Sequence, residues 1–239
     1  MGMPGLPERG DKTTRLEAFV DAAFAFALTL LAIAGDHIPT SGEELWSALR
    51  GLPAYAASFL LIVRFWSGHA EWSRRYGLDD AASRRLSLLL VFLVLVFVYP
   101  MRIVFAVLFA SLSNGFFPAN FAMTSFRDVS LLFLTFGVAF GSLGAVMALL
   151  YRHAWRERDR LGLDARERIE LRMAWLQWAL IPAVALVSIL LALAIPATRD
   201  SASGWLLGLP GFIYFTLNLA TPVVRRATRR QLALLPREA

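Results

Sequence analysis

Long apolar runs constrain this chain more than any other feature of its sequence. Residues 86–97 and 129–150 contain no charged side chain and are far too long to be strands. A helix that crosses the hydrocarbon core of a bilayer needs about 20 apolar residues. Six segments reach that length, at 16–34, 52–69, 86–111, 129–151, 174–197 and 203–224. The sequence therefore predicts an all-α membrane protein whose six transmembrane helices form a single domain over residues 1–239.

The composition agrees with this prediction and excludes several other classes of protein. Hydrophobic residues make up 57% of the chain and charged residues 18%, whereas a soluble domain has about half and about a quarter. Disordered and fibrous proteins are excluded by these fractions. Because the chain has no cysteine, disulfide scaffolds, thiol catalysis and cysteine metal sites are excluded as well.

The basic residues predict the orientation of the helices. Of the 24 Lys and Arg residues, 19 lie in the N-terminal segment, the second and fourth loops and the C-terminal tail. The three alternate loops hold only Arg50, Arg127 and Arg199. Since cytoplasmic loops carry the excess of basic residues, we expect both termini to be cytoplasmic. The net charge of +6 is thereby explained by topology, so we expect a lipid bilayer as partner and no nucleic acid.

Ionisable residues inside a membrane span are costly and are candidates for function. The candidates of this kind are Asp21, Arg64, His69 and Arg102. We expect Asp21 to pair with Arg64, because an unpaired charge at that depth costs several kcal/mol. The three histidines fall in separate loops or helix ends, which gives no metal-ligand spacing. We therefore expect no metal, no cofactor and no enzymatic activity.

The first predicted helix has two adjacent stripes of different character. With 100° between successive residues, Arg15, Phe19, Phe26, Leu30 and Ile33 fall within about 60° of arc and form a bulky stripe. Beside it lies a stripe of small residues, which are Ala18, Ala22, Ala25, Thr29 and Ala32. Small residues allow neighbouring helices to approach closely. This periodicity is typical of a tightly packed helix, either in an ordinary bundle core or in an assembly of several subunits.

Two motifs carry a resemblance to a known family. Arg15-x-x-x-Phe19-Val20-Asp21 resembles the Arg-x-x-x-Phe-Ser-Asp signature that opens the prokaryotic transmembrane-protein-175-type potassium channels, with Val20 in place of the serine. Arg64-Phe65-Trp66-x-x-His69 is similar to the family's Arg-Tyr/Phe-Trp-x-x-His-His segment, with Ala in place of the second histidine. Tyr99-Pro100 lies where the family often has an aliphatic residue before proline.

The resemblance implies a homotetramer in the cell membrane, here the inner membrane of a bacterium, with helix 1 of each subunit lining a central pore for potassium ions. Bulky apolar side chains constrict the pore in this family. Carried over by position, the constriction falls on Phe26, Leu30 and Ile33, with Thr29 assisting selectivity. The signature residues Arg15, Phe19, Asp21, Arg64 and His69 are expected to organise the helices.

Two other functions remain open at this stage. A small-solute or proton-coupled transporter would show saturable flux that depends on Asp21, although such transporters usually bury several acids. A non-conducting membrane scaffold is favoured by Val20 and by the bulk of Phe26, since four phenylalanine rings around one axis would seal a pore.

Overall fold

The computed structural model describes residues 9–10, 13–33, 38–119, 121, 125–194 and 204–233, and this part of the chain is all-helical. This confirms the predicted all-α membrane-type fold. The helices are α1 (Arg15–Ile33), α2 (Gly42–Arg50), α3 (Leu52–Tyr76), α4 (Ala81–Leu112), α5 (Phe126–Arg156), α6 (Ala165–Ala194), α7 (Gly204–Phe212) and α8 (Phe215–Ala233).

The helices differ in how well they suit a bilayer. Within the described residues, three helices are long and apolar enough to cross a membrane, which are α4, α5 and α6. A fourth span results if α2 and α3, which meet at an angle of 41°, are counted together. Helix α1 begins with Arg15, Glu17 and Asp21, which lower its apolar length. Helix length and composition therefore support three or four spans, and the count of six stays a prediction.

The sixth predicted helix is in fact two helices. Helix α7 ends at Phe212 and α8 begins at Phe215. Between them the amide of Tyr214 donates to the carbonyl of Gly211 at 3.2 Å, which is a spacing of three residues rather than four. Pro210 lies just before this turn and has no amide hydrogen, so the regular ladder of hydrogen bonds is interrupted there. The single helix predicted over 203–224 was wrong in this respect.

The segment between the first two predicted spans contains a short helix, α2, that the sequence analysis does not predict. Ser41 caps α2, since its hydroxyl accepts a hydrogen bond from the amide of Glu44 at 3.2 Å. The carboxylate of Glu44 accepts in turn from the amide and the hydroxyl of Thr40, at 2.7 and 2.9 Å. These reciprocal bonds satisfy amides that a helix start leaves without partners.

The loop between α5 and α6 has the form that its sequence predicts. Alternating acids and bases indicate helical extensions of the fourth and fifth spans, and α5 continues to Arg156 while α6 begins at Ala165. The turn between them includes Gly162 at φ +61°, a left-handed conformation that glycine adopts without steric cost. The two long helices therefore pack together as one antiparallel pair.

The apolar core lies where α1, α3, α4, α5 and α6 meet. Its largest fully buried side chains include Phe24, Phe65, Trp72, Leu143 and Met147. Helix α1 contributes to this core on one side only, and it packs against α3 and α4. The other side of α1 is the candidate functional site.

Candidate functional site: the open face of the first helix

One face of α1 is buried within the subunit and the opposite face is open. Val20, Ala27 and Leu31 are fully buried, and Phe24 is 2% exposed. These four residues recur at spacings of three and four, which places them on one side of a helix. The burial of this side fixes the rotation of α1 in the subunit.

The open face carries both of the predicted stripes. Phe19 and Phe26 are more than half exposed, at 53% and 57%. The small residues beside them are exposed as well, and these are Ala18, Ala22, Ala25, Thr29 and Ala32. The hydroxyl of Thr29 donates to the carbonyl of Ala25 at 3.0 Å. The subunit therefore presents a continuous strip of small and bulky side chains that its own helices leave uncovered.

The three residues predicted to constrict a pore differ from one another in how far they are exposed. The phenyl ring of Phe26 projects from the open face. Leu30 is half-buried and packs against the core, because it lies at the edge of the strip next to the buried side. The side chain of Ile33 lies outside the described residues. Of the predicted constriction, the projecting position of Phe26 is the part that the structure describes directly.

Asp21 has a different partner from the one predicted. Its carboxylate accepts a hydrogen bond from the indole Nε1 of Trp66 at 2.8 Å, so α1 is tied to α3 by Trp66 rather than by Arg64. The guanidinium of Arg64 lies over the ring of Trp178 on α6, 4.4 Å from its centroid. At this distance a cation is attracted to the face of the indole. Both charges therefore link helices, as a structural role predicts.

His69 is buried between α3 and α4. It is 1% exposed, and its Nε2 atom lies 2.8 Å from the hydroxyl of Ser87. This contact links α3 to α4. Arg15, in contrast, is exposed at the start of α1, where its guanidinium is available to lipid headgroups.

The partner of Arg102, for which the sequence gives no indication, is the backbone of α1. Its Nη1 atom donates to the carbonyl of Leu31 at 3.3 Å. The last carbonyls of a helix lack partners within the helix itself. Arg102 thus attaches the final turns of α1 to α4.

The start of α1 is held by the segment that precedes it. Arg9 donates from Nη1 and Nη2 to the two carboxylate oxygens of Glu167, at 2.6 and 3.0 Å, and from Nε to the carbonyl of Leu161 at 3.0 Å. The amide of Gly10 donates to the carbonyl of Arg74 at 3.0 Å. We call these contacts the Arg9 clasp. They fix the residues before α1 to the end of α3 and to the α5–α6 turn.

The clasp alters the ionisation of its carboxylate. Burial alone would raise the pKa of Glu167, but the hydrogen bonds from Arg9 and from the amide of Asp164 outweigh it and hold that pKa below its usual value. The same contact raises the pKa of Arg9. The pair is therefore ionised at neutral pH, and its bidentate geometry is the strong form of an arginine–carboxylate contact.

A second contact closes the same end of the molecule. The Nε2 atom of His153, near the end of α5, lies 2.6 Å from a carboxylate oxygen of Asp80, which also caps α4 through the amide of Ser83 at 2.8 Å. Burial would raise the pKa of Asp80, but the bonds from Ser83 and His153 lower it. Three of the four arginine-rich segments therefore meet at one end.

The described residues contain no group of three or more His, Cys, Asp or Glu side chains placed to hold a metal ion. The side chains that meet at α1 are instead aromatic, small, or paired between helices. This arrangement suits close contact between helices.

Comparisons with known proteins agree with the resemblance. A family model described as endosomal/lysosomal potassium channel TMEM175 matches residues 15–100, which include α1 and α3. A protein of Marivirga tractuosa named "Potassium channel" is 29% identical over 218 residues, which cover 89% of this chain and 86% of the relative. The crystal structure of a threonine-to-alanine variant of the potassium channel MtTMEM175, in complex with a nanobody–MBP fusion, has a TM-score of 0.79 at 27% identity. That match covers 95% of this chain and 98% of the other.

Proposed function

We propose that the chain is a member of the TMEM175 potassium channel family, to which its comparisons point, and that it forms a potassium-permeable cation channel. Four copies surround one axis, and the open face of α1 from each copy lines the pore. Phe26, Leu30 and Ile33 form the apolar constriction, and Thr29 contributes a hydroxyl for selectivity.

The observation that carries this proposal is the open face of α1. Helices α1, α3 and α4 pack closely, yet Phe19, Phe26 and Thr29 are exposed in the part of the chain that the structure describes. Alanines on this strip let helices from other copies approach. Phe26 then projects between them, where it narrows the path without charge or hydrogen bonds.

The proposed gate acts by excluding water. A hydrophobic constriction in a channel closes by dewetting, and a ring of phenylalanine side chains at one level is both bulky and apolar. A smaller side chain at this level admits water and therefore ions. Thr29 lies about one turn beyond Phe26 on the open face of α1, so the proposed constriction has a hydroxyl between the levels of Phe26 and Ile33.

The proposed topology has six membrane-crossing segments, with both termini in the cytoplasm of a bacterial cell. The Arg9 clasp and the contact of His153 with Asp80 support it, because they join the N-terminal segment, the α3–α4 turn and the α5–α6 turn. These segments hold most of the basic residues. The end of the molecule at which they meet is then the cytoplasmic end.

Potassium flux into liposomes tests the constriction. We expect Phe26→Ala to increase K⁺ flux severalfold over the unaltered protein, because the substitution widens and wets the gate. Phe92→Ala is the matched control, since Phe92 is 60% exposed but lies on α4. If Phe26→Ala and Phe92→Ala both leave flux unchanged, the open face of α1 does not line the path.

The number of subunits is tested separately by native mass spectrometry of the purified protein. A mass of four chains supports the proposal, and a monomer or dimer contradicts it. The two alternative functions give other results in the same liposomes. Intact tetramers without flux in both Phe26 forms indicate a scaffold, whereas saturable flux that is lost in a folded Asp21→Asn variant indicates a transporter.

A further inference from the structure

Helix α2 is amphipathic, and its two faces are inverted relative to a surface helix of a soluble protein. Ordinarily the apolar face of a surface helix packs on the core and the polar face meets water. In α2 the large apolar side chains Leu45, Trp46 and Leu49 are exposed. No residue of this helix is buried.

The polar side of α2 turns toward the protein instead. Ser47 and Arg50 are half-buried. Arg50 donates from Nη1 to the carbonyl of Phe116 at 3.1 Å, and its guanidinium lies 5.8 Å from the centroid of the Phe116 ring. This contact joins α2 to the turn that follows α4. The orientation of α2 about its own axis is thereby fixed with the apolar face outward.

The apolar face of α2 continues into neighbouring apolar surface at the same end of the molecule. Leu52, the first residue of α3, is 52% exposed, and Ile38 before α2 is 87% exposed. Near the anchoring contact of Arg50, Leu112 and Phe116 are also exposed. We call this surface, made of Ile38, Leu45, Trp46, Leu49, Leu52, Leu112 and Phe116, the α2 belt.

We infer that the α2 belt anchors the protein in the membrane. It contacts the leaflet at this end of the molecule, at the boundary between headgroups and acyl chains. Three observations favour lipid. Helix α2 passes into α3 through Gly51 alone, at an angle of 41°, and the two helices together meet the length and composition of a membrane span. It is therefore continuous with a membrane-embedded element.

The second observation is chemical. An amphipathic helix that lies in the interface buries an apolar face with Trp or Leu about 5–10 Å into the boundary, and indole rings favour this depth because they combine an apolar body with a polar tip. Trp46 and its leucine neighbours provide this face. Helix α2 is about 14 Å long at 1.5 Å per residue, which suits an element lying along the surface.

The third observation concerns the size of the belt. A stable protein–protein interface uses about 20–30 residues a side, and the belt has seven. A second copy of the chain is therefore a poorer fit to the belt alone than a lipid surface is.

Spin labels test the inference in the full-length protein in liposomes. The chain has no cysteine, so Leu45→Cys and Leu49→Cys each create one labelling site on the apolar face. Glu43→Cys places the matched control on the exposed polar side of the same helix. Collisions with oxygen report lipid, and collisions with a water-soluble nickel complex report water.

We expect the ratio of oxygen to nickel collisions to be severalfold higher at positions 45 and 49 than at position 43. Equal nickel access at all three positions would place α2 in water and overturn the inference. Low access to both reagents at 45 and 49, with dipolar broadening between labels, would identify a second copy as the partner and overturn it as well. None of these readouts depends on ion flux, so the result is separable from the proposed channel function.

Discussion

Arg9 holds Glu167 through two parallel hydrogen bonds, of 2.6 and 3.0 Å, across 158 positions of sequence. Glu167 is itself fixed in the first turn of α6, where its amide donates to the side chain of Asp164 at 2.7 Å. The residues before α1 are therefore tied to the start of the antiparallel α5–α6 pair.

Removal of Arg9 should destabilise the protein. Glu167 is 7% exposed, so Arg9→Ala leaves a nearly buried carboxylate without its main partner. A lost bond to a charged group of this kind costs about 1–3 kcal/mol. We expect a fall of several degrees in the thermal midpoint measured in detergent. Arg160→Ala is the control, since Arg160 is 68% exposed in its pair with Glu157, and exposed pairs contribute little.

The same pair predicts a dependence of stability on pH. The folded state lowers the pKa of Glu167 below its ordinary value of 4.5, so the unfolded state takes up its proton first. The stabilisation is complete above about pH 4.5 and is lost as the pH falls through the folded pKa. The difference in thermal midpoint between the unaltered protein and Glu167→Gln should therefore be largest near neutral pH and should narrow below pH 4.5. A difference in thermal midpoint that stays the same from pH 7 to below pH 4.5 would contradict this prediction.

Close packing at Gly68 predicts a second site of destabilisation. A Cβ atom built on Gly68 overlaps the ring of Trp178 and lies 3.1 Å from the terminal methyl of Met147. Forcing extra volume into a packed core costs about 1–3 kcal/mol. We expect Gly68→Ala to lower the thermal midpoint and the yield of folded protein. Gly42→Ala is the control, because no atom lies within 4 Å of a Cβ there, and its failure to fold would contradict the packing argument.

The bond between Trp66 and Asp21 predicts the effect of removing only its donor. Trp66→Phe keeps an aromatic ring but removes the indole N–H that donates at 2.8 Å. Asp21→Asn keeps an acceptor and removes the charge. We expect Trp66→Phe to lower the thermal midpoint more than Asp21→Asn, because only the former leaves the half-buried carboxylate without its hydrogen-bond donor. The opposite order would show that the charge itself, rather than this bond, holds the helices.

Periodicity at 100° per residue predicts a bulky stripe and a small stripe on α1. The structure leaves Phe19, Phe26 and the small stripe exposed, whereas Leu30 is half-buried. The long apolar runs likewise predicted the positions of α4, α5 and α6 to within about ten residues at each end. Both predictions depend on local spacing, and local spacing is visible in a sequence.

Local spacing does not predict contacts between residues that are far apart in the sequence. The Arg9 clasp joins residues far apart in the chain, and nothing in the local pattern of either marks the other as its partner. The partner of Asp21 was predicted as Arg64 by matching charge and depth, but a neutral indole two residues further on supplies the bond. Helix α2 is short and has two acidic residues in its first turn, and its start depends on hydrogen bonds of Thr40 and Ser41 that an apolar pattern does not mark.

The hydroxyl of Thr29 finds its acceptor in its own helix, at the carbonyl of Ala25. Thr29 therefore exposes no unpaired hydroxyl donor on the open face of α1. An unpaired donor in contact with acyl chains would cost several kcal/mol of free energy. In the proposed tetramer, a single subunit then meets its partners without an unsatisfied hydroxyl on the contact face. The strength of that association depends on how well alanine and phenylalanine surfaces pack in competition with lipid.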